Sequence, residues 1–545
     1  MENFTTLKEL LISSEKQHRH KTAFYLKDKG NAIYEVTYEQ FRHDCDCLGT
    51  ALLYELDAKD KNIAIFMGNC YEWCVTYLAV TGGVGTVVPL DKELPVGELD
   101  NILRFAQAEV IITDGEHMEA LNQIDDNDNL RIINIDEVVG EKALSFRRLL
   151  SKGEELLTQG KSDYLSAVTY PEQISTLLFT SGTTGMMKGV MLSNSNICSD
   201  IIAVSQSVHL KDSDVSLSVL PLHHTYESIA FLMLISCGAA ISFCEGFRRL
   251  RENFIEYKPT IFVTVPLILE NLHKRIVGRI ESEGKGNTAR LITKVSSVIP
   301  LDSRKKIFSD IHAFFGGRLR LIICGAAALQ KQTAKDFMSY GIPVIIGYGL
   351  TECSPIVICN SEAEPTTDSV GKPLAGVQVK LLNPDENGIG EIAVKGPMIM
   401  KGYYKNKEQT EKVMSDGWFY TGDLGYMDKN GNYHIAGRCK NVIVTANGKN
   451  VYPEEIEYYL SKENVIGECM VYCESDDIIT VEILPSMEDV KKKLKKQFPK
   501  DEEIHSAVKE AVRNVNSNLP GYKRIRKVII RKEGFNKTST HKIKR

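Results

Sequence analysis

"ISTLLFTSGTTGMMKGVMLSN", residues 174–194, decides how the rest of the chain is read. An apolar run, a cluster of hydroxyls and glycines, one lysine and a second apolar run follow one another. A Walker A loop needs glycine, four residues, then Gly-Lys and a Ser or Thr. Counting from Gly182 puts Met187 at the second glycine and Gly189 at the hydroxyl, so that pattern fails twice. A Walker A loop also runs into a helix whose amino end binds phosphate. Here "VMLSN" is strand-like, and the segment turns back on itself as a hairpin. Thr180, Ser181, Thr183 and Thr184 offer hydroxyls, and Lys188 adds a mobile positive charge. Gly182, Gly185 and Gly189 let backbone amides approach an oxyanion closely. The plain alternative is a flexible surface hairpin.

Outward from this hairpin, short β-rich runs alternate with stretches of helical spacing. "NIAIFMG" (62–68), "GTVVPL" (85–90), "AEVIITD" (108–114), "AAISFC" (239–244), "PTIFVTVP" (259–266), "RLIICG" (320–325) and "PVIIGYG" (343–349) read as strands. "YEWCVTYLAVTGG" and "PVGELDNILRFAQ" between them read as helices. The alternation predicts an α/β fold with largely parallel sheets buried on both faces. From about residue 367, "VQVKLLNPDENGIGEIAVKG" and "GYMDKNGNYHIAGR" are alternating strands with Asn-Gly turns, predicting a small antiparallel β subdomain over 367–438. The expected division is a core at 1–438 and an α+β domain at 439–545.

Composition excludes several classes. With 43% apolar and 25% charged residues over 545 positions, nothing argues for disorder, and a net charge of −5 gives no general nucleic-acid signal. Thirteen cysteines without paired C-x-x-C spacing fit a reducing, cytoplasmic compartment better than disulfides or zinc. The N-terminus carries no signal-peptide pattern. "SIAFLMLISCGAAISFC" (228–244) is uncharged, but its Gly-Ala-Ala break predicts a buried helix, a turn and a strand rather than a membrane span. Membrane contact is expected to be peripheral at most.

Further motifs follow in order: "LPLHHTYE" (220–227), "CGAAAL" (324–329), "GYGLTECSP" (347–355), "GEIAVKGPMIMKGYY" (390–404), "GWFYTGDLGYMDKNGNYHIAGRCKNVIV" (417–444) and "KTSTHKIKR" (537–545). Together with Ser-Gly-Thr-Thr-Gly-x-x-Lys-Gly they resemble the adenylate-forming superfamily, which includes acyl-CoA synthetases, luciferases and peptide-synthetase adenylation domains. The style is closest to long-chain fatty acid–CoA ligases, and the resemblance covers nearly the whole chain. It implies ATP, Mg²⁺ and CoA as cofactors or cosubstrates, and a large core followed by a small, mobile C-terminal domain.

Each motif has a physical reading. Carboxylate attack on the α-phosphorus concentrates negative charge, so fixed donors, lysine and Mg²⁺ are the expected stabilisers. Tyr348, between Gly347 and Gly349, presents an aromatic face to adenine; Gly325, Ala326 and Ala327 let the nucleotide approach backbone. Thr351 can hydrogen-bond the α-phosphate, and Glu352 is a hard oxygen ligand for Mg²⁺, with Thr180 as its companion. Alone, Thr-Glu would read as a helix start. The resemblance gives Asp423 the ribose hydroxyls and Arg438 ribose and phosphate; otherwise these are a turn residue and a surface ion pair. His224 aligns with the gate beside the carboxylate pocket, with His223 as rival and a structural histidine as the bland reading.

Lys542 corresponds to the C-terminal lysine that binds carboxylate and phosphate during adenylation, with Lys537 and Lys544 as rivals. Asn536 and His541 replace the usual proline and glycine of that motif. Lys440 occupies the hinge position, about which the C-terminal domain is expected to rotate before thioester formation. The expected activity is ATP-dependent conversion of a fatty acid to acyl-AMP and then acyl-CoA. The alternatives are a ligase loading acyl carrier protein onto its basic C-terminal surface, an amino-acid adenylating enzyme, and a silent nucleotide-binding protein.

Overall fold

The structure is a computed structural model describing residues 3–124, 130–136, 143–180, 187–282, 299–444, 450–474, 478–537, 543 and 545. Two compact units emerge: Met1–Gln378 with Val394–Phe419, and Val379–Ala393 with Tyr420–Arg545.

In the first unit, eight strands lie in the spatial order Gly402–Tyr403, Lys188–Ser193, Ile174–Thr180, Gly85–Pro89, Lys61–Phe66, Ala108–Thr113, Arg131–Asn134, Ala143–Ser145. Pairing from Ile174–Thr180 through Ala143–Ser145 is parallel. Ile63 to Phe66 are buried without alternation, as strands covered on both faces require. The helix Val96–Ala106 covers this sheet through Leu99, Ile102, Leu103 and Ala106, the i, i+3, i+4, i+7 stripe of an amphipathic helix, and ends on Gln107 at φ 53.

A nine-stranded sheet has Val215–Ser218, Ala240–Phe243, Ile261–Thr264, Leu321–Cys324 and Val344–Gly349 in parallel register. The uncharged stretch resolves as expected. The helix Thr225–Cys237 is buried on nearly every side and stops at Gly238, whose φ of 81° favours glycine, before the strand Ala240–Phe243. Among the described residues no helix is long and apolar enough to cross a membrane.

The second unit holds the antiparallel pairing of Asp423–Met427 with Tyr433–Arg438 and a three-stranded sheet of Ile466–Glu474, Ile478–Pro485 and Lys527–Ile530. The two Asn-Gly turns use one device. Asp385 accepts from the backbone N–H of Asn387 and Ile389, and Asp428 from those of Asn430 and Asn432. Each leaves a glycine, Gly388 or Gly431, at positive φ. The helix Asp501–Ser517 seals the three-stranded sheet with Val508, Ala511, Val512 and Val515.

The nine-stranded sheet's core packs Phe337 against Phe315 and Tyr340, with ring centroids 6.0 Å apart in both cases. Phe337→Ala is expected to cost about 3–5 kcal/mol, the range for an aromatic removed from a packed core. It should appear as a lower denaturant midpoint of the first unit's transition; an unchanged midpoint would contradict this packing.

Candidate active site

The hairpin proposed from sequence is present. Ile174–Thr180 pairs antiparallel with Lys188–Ser193, and Thr180 lies opposite Lys188 at the end where the two strands are joined. Residues 181–186, including Ser181, Gly182, Thr183, Thr184 and Gly185, lie outside the described residues. Lys188 projects over Tyr403, its Nζ 4.9 Å from the ring centroid. Tyr403 arrives there because Gly402–Tyr403 adds an edge strand, pairing with Met191 and Val190.

The strand Val344–Gly349 delivers the second motif. Gly349 crosses so close to the following loop that a Cβ would sit 1.7 Å from the Pro355 carbonyl oxygen, so only glycine fits. The chain then turns through the short 3₁₀ segment Thr351–Cys353. Thr351 Oγ1 receives a hydrogen bond from Thr225 Oγ1 at 3.1 Å, and Glu352 Oε1 receives one from Tyr403 Oη at 2.8 Å. The Glu352 carbonyl also accepts from Met400 N. Three motifs remote in sequence therefore meet around Thr351 and Glu352.

Thr225 opens the helix that "LPLHHTYE" initiates, with His224 at its N-cap. The two histidines differ in setting: His223 is buried, whereas His224 is half-buried. Burial first, then His224, lowers the His223 pKa to about 3, and its Nε2 stands 3.6 Å from Asp91, beyond hydrogen-bond reach. His223 is thus a neutral packing residue at physiological pH.

Gly325 is buried, with its would-be Cβ 3.2 Å from the Tyr226 ring, while Ala326 and Ala327 are exposed beyond the strand end. Ala326 sits at φ 67. Gly347, Tyr348 and Gly349 are half-buried along their strand.

In the second unit, register does the assembling. Asp423 and Arg438 are direct partners across the hairpin, with Arg438 Nε 2.6 Å from Asp423 Oδ1. The carboxylate is buried, the guanidinium 43% exposed, so the pair presents its cationic fork outward. The ion-pair reading of Arg438 is therefore realised with the other nucleotide candidate as its partner. Lys440 follows in the turn Cys439–Asn441; burial, then Arg438 and Arg545, lowers its pKa. The adjacent Asn441 donates to Glu454 Oε1 at 2.5 Å. Burial lifts the Cys439 thiol to about 11, which leaves no reactive thiolate at neutral pH.

Lys542 and its rival Lys544 lie outside the described residues. The chain on either side is fixed: Lys537 and Ile543 form an antiparallel bridge, Lys537 pairs with Glu468 at 2.6 Å, and Arg545 pairs with Glu457 at 2.6 Å. Lys537 is thus engaged with Glu468.

Among the described residues no group of three or more His, Cys, Asp or Glu could hold a metal ion by itself. A single carboxylate such as Glu352 is chemically sufficient for Mg²⁺ carried on phosphate, because Mg²⁺ keeps waters and needs one or two carboxylates besides phosphate oxygens.

Residues 13–404 match the family described as AMP-binding enzyme, and residues 440–545 the AMP-binding enzyme C-terminal domain. The chain belongs to the AMP-binding enzyme family. It is 30% identical to long-chain-fatty-acid–CoA ligase 5 of Mus musculus over 82% of this chain and 70% of that one. It is 29% identical to the peroxisomal long chain acyl-CoA synthetase 6 of Arabidopsis thaliana, over 84% and 69%. The chloroplastic long-chain-fatty-acid–[acyl-carrier-protein] ligase AEE15 of Arabidopsis thaliana is 26% identical over 84% and 73%. In fold, it resembles the anthranilate CoA ligase AuaEII in complex with anthranoyl-AMP, at a TM-score of 0.78 and 21% identity, covering 100% and 96% of the two chains. ATP-bound MatB from Rhodopseudomonas palustris gives 0.76 at 22% identity, covering 99% and 97%.

Sequence reasoning passed over Tyr403, although "KGYY" closes a quoted motif; nothing in the sequence says which tyrosine of that pair faces Glu352. It also passed over Glu227, the last residue of "LPLHHTYE". Glu227 is buried, accepts from Ser218 Oγ at 2.5 Å, and its Oε2 has no hydrogen-bond partner among the described residues. Burial raises its pKa from 4.5 to about 8. Below 4.5 the carboxyl is protonated folded or unfolded; between 4.5 and about 8 only the folded chain holds the proton, so stability falls with rising pH across that window. Glu227→Gln should flatten this slope and raise the melting temperature more at pH 8 than at pH 5, each relative to the parent chain. An equal shift at both values would show that Glu227 does not titrate there.

Proposed function

We propose that the protein is an AMP-forming acid–thiol ligase that converts a long-chain fatty acid to its acyl-CoA. The observation that carries this reading is the meeting of Thr351 with Thr225, and of Glu352 and Lys188 with Tyr403, which gathers phosphate-binding and metal-binding chemistry in one place. Membership of the AMP-binding enzyme family supplies the nucleotide, and the named activities of the relatives supply the acid and the thiol.

In the first half-reaction a carboxylate oxygen attacks the α-phosphorus of ATP and the α–β bridging oxygen leaves with pyrophosphate. Lys188 and the hydroxyls and amides of 180–185 hold the departing phosphates, and Thr351 donates to the α-phosphate. Glu352, with Thr180, would hold the Mg²⁺ that ATP carries, and that ion would supply charge to offset the phosphates. Tyr348 and residues 325–327 bracket adenine, and Asp423, held by Arg438, takes the ribose hydroxyls. His224 flanks the acid, and Lys542 neutralises the approaching carboxylate.

In the second half-reaction the thiolate attacks the acyl carbon and AMP leaves as an anion. No protein nucleophile takes part, in keeping with the raised Cys439 pKa. The reading takes 1–438 as the core and 439–545 as a domain that swings about Lys440, withdrawing Lys542 between the steps. The cysteines are free thiols, which suits a reducing compartment such as the cytoplasm.

Acyl carrier protein is the second acceptor considered, favoured by ten Lys/Arg against one Glu in residues 521–545. A pyrophosphate-release screen over acids of graded length, run with no thiol, with CoA and with carrier protein, decides among these readings. Acid-dependent release that accelerates with CoA is expected; release without acid would overturn the ligase reading. Separately, Lys542→Ala should slow acyl-AMP formation roughly 10²-fold or more while sparing thioester formation from supplied acyl-AMP. Equal loss in both halves would contradict the swing about Lys440.

A further inference from the structure

Tyr403 touches both Lys188 and Glu352, with its ring under the cation and its hydroxyl on the carboxylate. Its own position is held from several directions. Its backbone pairs with Val190, and its N–H donates to Thr410 Oγ1 at 2.9 Å. The next residue, Tyr404, donates its N–H to the Gly189 carbonyl at 2.7 Å. With 5% of its surface exposed, the ring has no solvent into which to turn.

These contacts bear on two different tasks. A glutamate ligating a hard cation needs its carboxylate plane fixed, and a hydrogen bond to one oxygen does this while leaving lone pairs for the metal. A lysine serving phosphate needs its ammonium kept forward yet mobile, and an aromatic face attracts it without consuming its hydrogen-bond donors. Building on the roles proposed above for Glu352 and Lys188, we infer that Tyr403 is the positioning residue of this site: its hydroxyl orients Glu352 toward the Mg²⁺ of Mg-ATP, and its ring shelves Lys188 for the phosphates.

Tyr403→Phe keeps the ring and its volume and removes only the hydroxyl; Tyr403→Leu removes both. The readouts are binding, without turnover: Mn²⁺ affinity by electron paramagnetic resonance at saturating non-hydrolysable ATP analogue, and metal-free affinity for that analogue by calorimetry. Tyr403→Phe should weaken Mn²⁺ binding about 10–100-fold, the range for loss of a group that orients a metal ligand, with analogue affinity unchanged. Tyr403→Leu should weaken both. Parent-like Mn²⁺ affinity in Tyr403→Phe, or equal weakening of both affinities in that variant, overturns the inference alone. Failure of the unsubstituted chain to bind the analogue overturns the ligase reading along with it.

Discussion

The edge pairing of Gly402–Tyr403 with Lys188–Ser193 is the contact on which the first unit's chemistry depends. Two residues of strand, fixed by Tyr404 N to the Gly189 carbonyl and Lys401 N to the Met191 carbonyl, anchor a segment more than two hundred residues away along the chain. The same segment reaches Glu352 twice, through Met400 N and through the Tyr403 hydroxyl. The Glu352 carboxylate, Lys188 and the hairpin of Ile174–Thr180 with Lys188–Ser193 are thereby held together. Preorganisation of this kind lowers the reorganisation needed when charge develops at phosphorus.

A second arrangement follows the same logic in the second unit. Asp423 and Arg438 face one another because a hairpin closed by Asp428 and Gly431 sets their register. A one-residue slip would turn Asp423 to the opposite face of the sheet and break the pair. The Arg545–Glu457 and Lys537–Glu468 pairs fasten the chain on either side of Lys542 to the second unit's own core. Local turn chemistry and backbone pairing, more than any single ion pair, place the charged groups.

Much of this was legible in the amino-acid order, for identifiable reasons. Runs such as Ile63–Phe66 and Leu321–Cys324 carry no polar residue to spare, so they announce strands buried on both faces. The Gly238 stop within 228–244 was readable because Gly-Ala-Ala interrupts the apolar run, and the left-handed backbone there favours glycine. Motif order singled out the 174–194 hairpin, Glu352, Asp423 and Arg438 as candidates, and the hairpin and the Asp423–Arg438 pairing are present. The partnerships were not legible: "KGYY" gives no sign that Tyr403 rather than Tyr404 meets Glu352, since pairing with Val190 decides it. Likewise "HH" does not say which histidine is buried; the approach of Asp91 and the surrounding core assign that place to His223. Such choices depend on neighbours distant in sequence, which no local pattern encodes.

In the proposed reaction the acid's own oxygen makes the bond to the α-phosphorus. Turnover with a long-chain fatty acid carrying heavy oxygen in both carboxylate positions tests it directly, with mass spectrometry of the nucleotide and phosphate products. One labelled oxygen is expected in AMP per thioester formed, and none in pyrophosphate. Unlabelled AMP, or label recovered in inorganic phosphate or pyrophosphate, would contradict it.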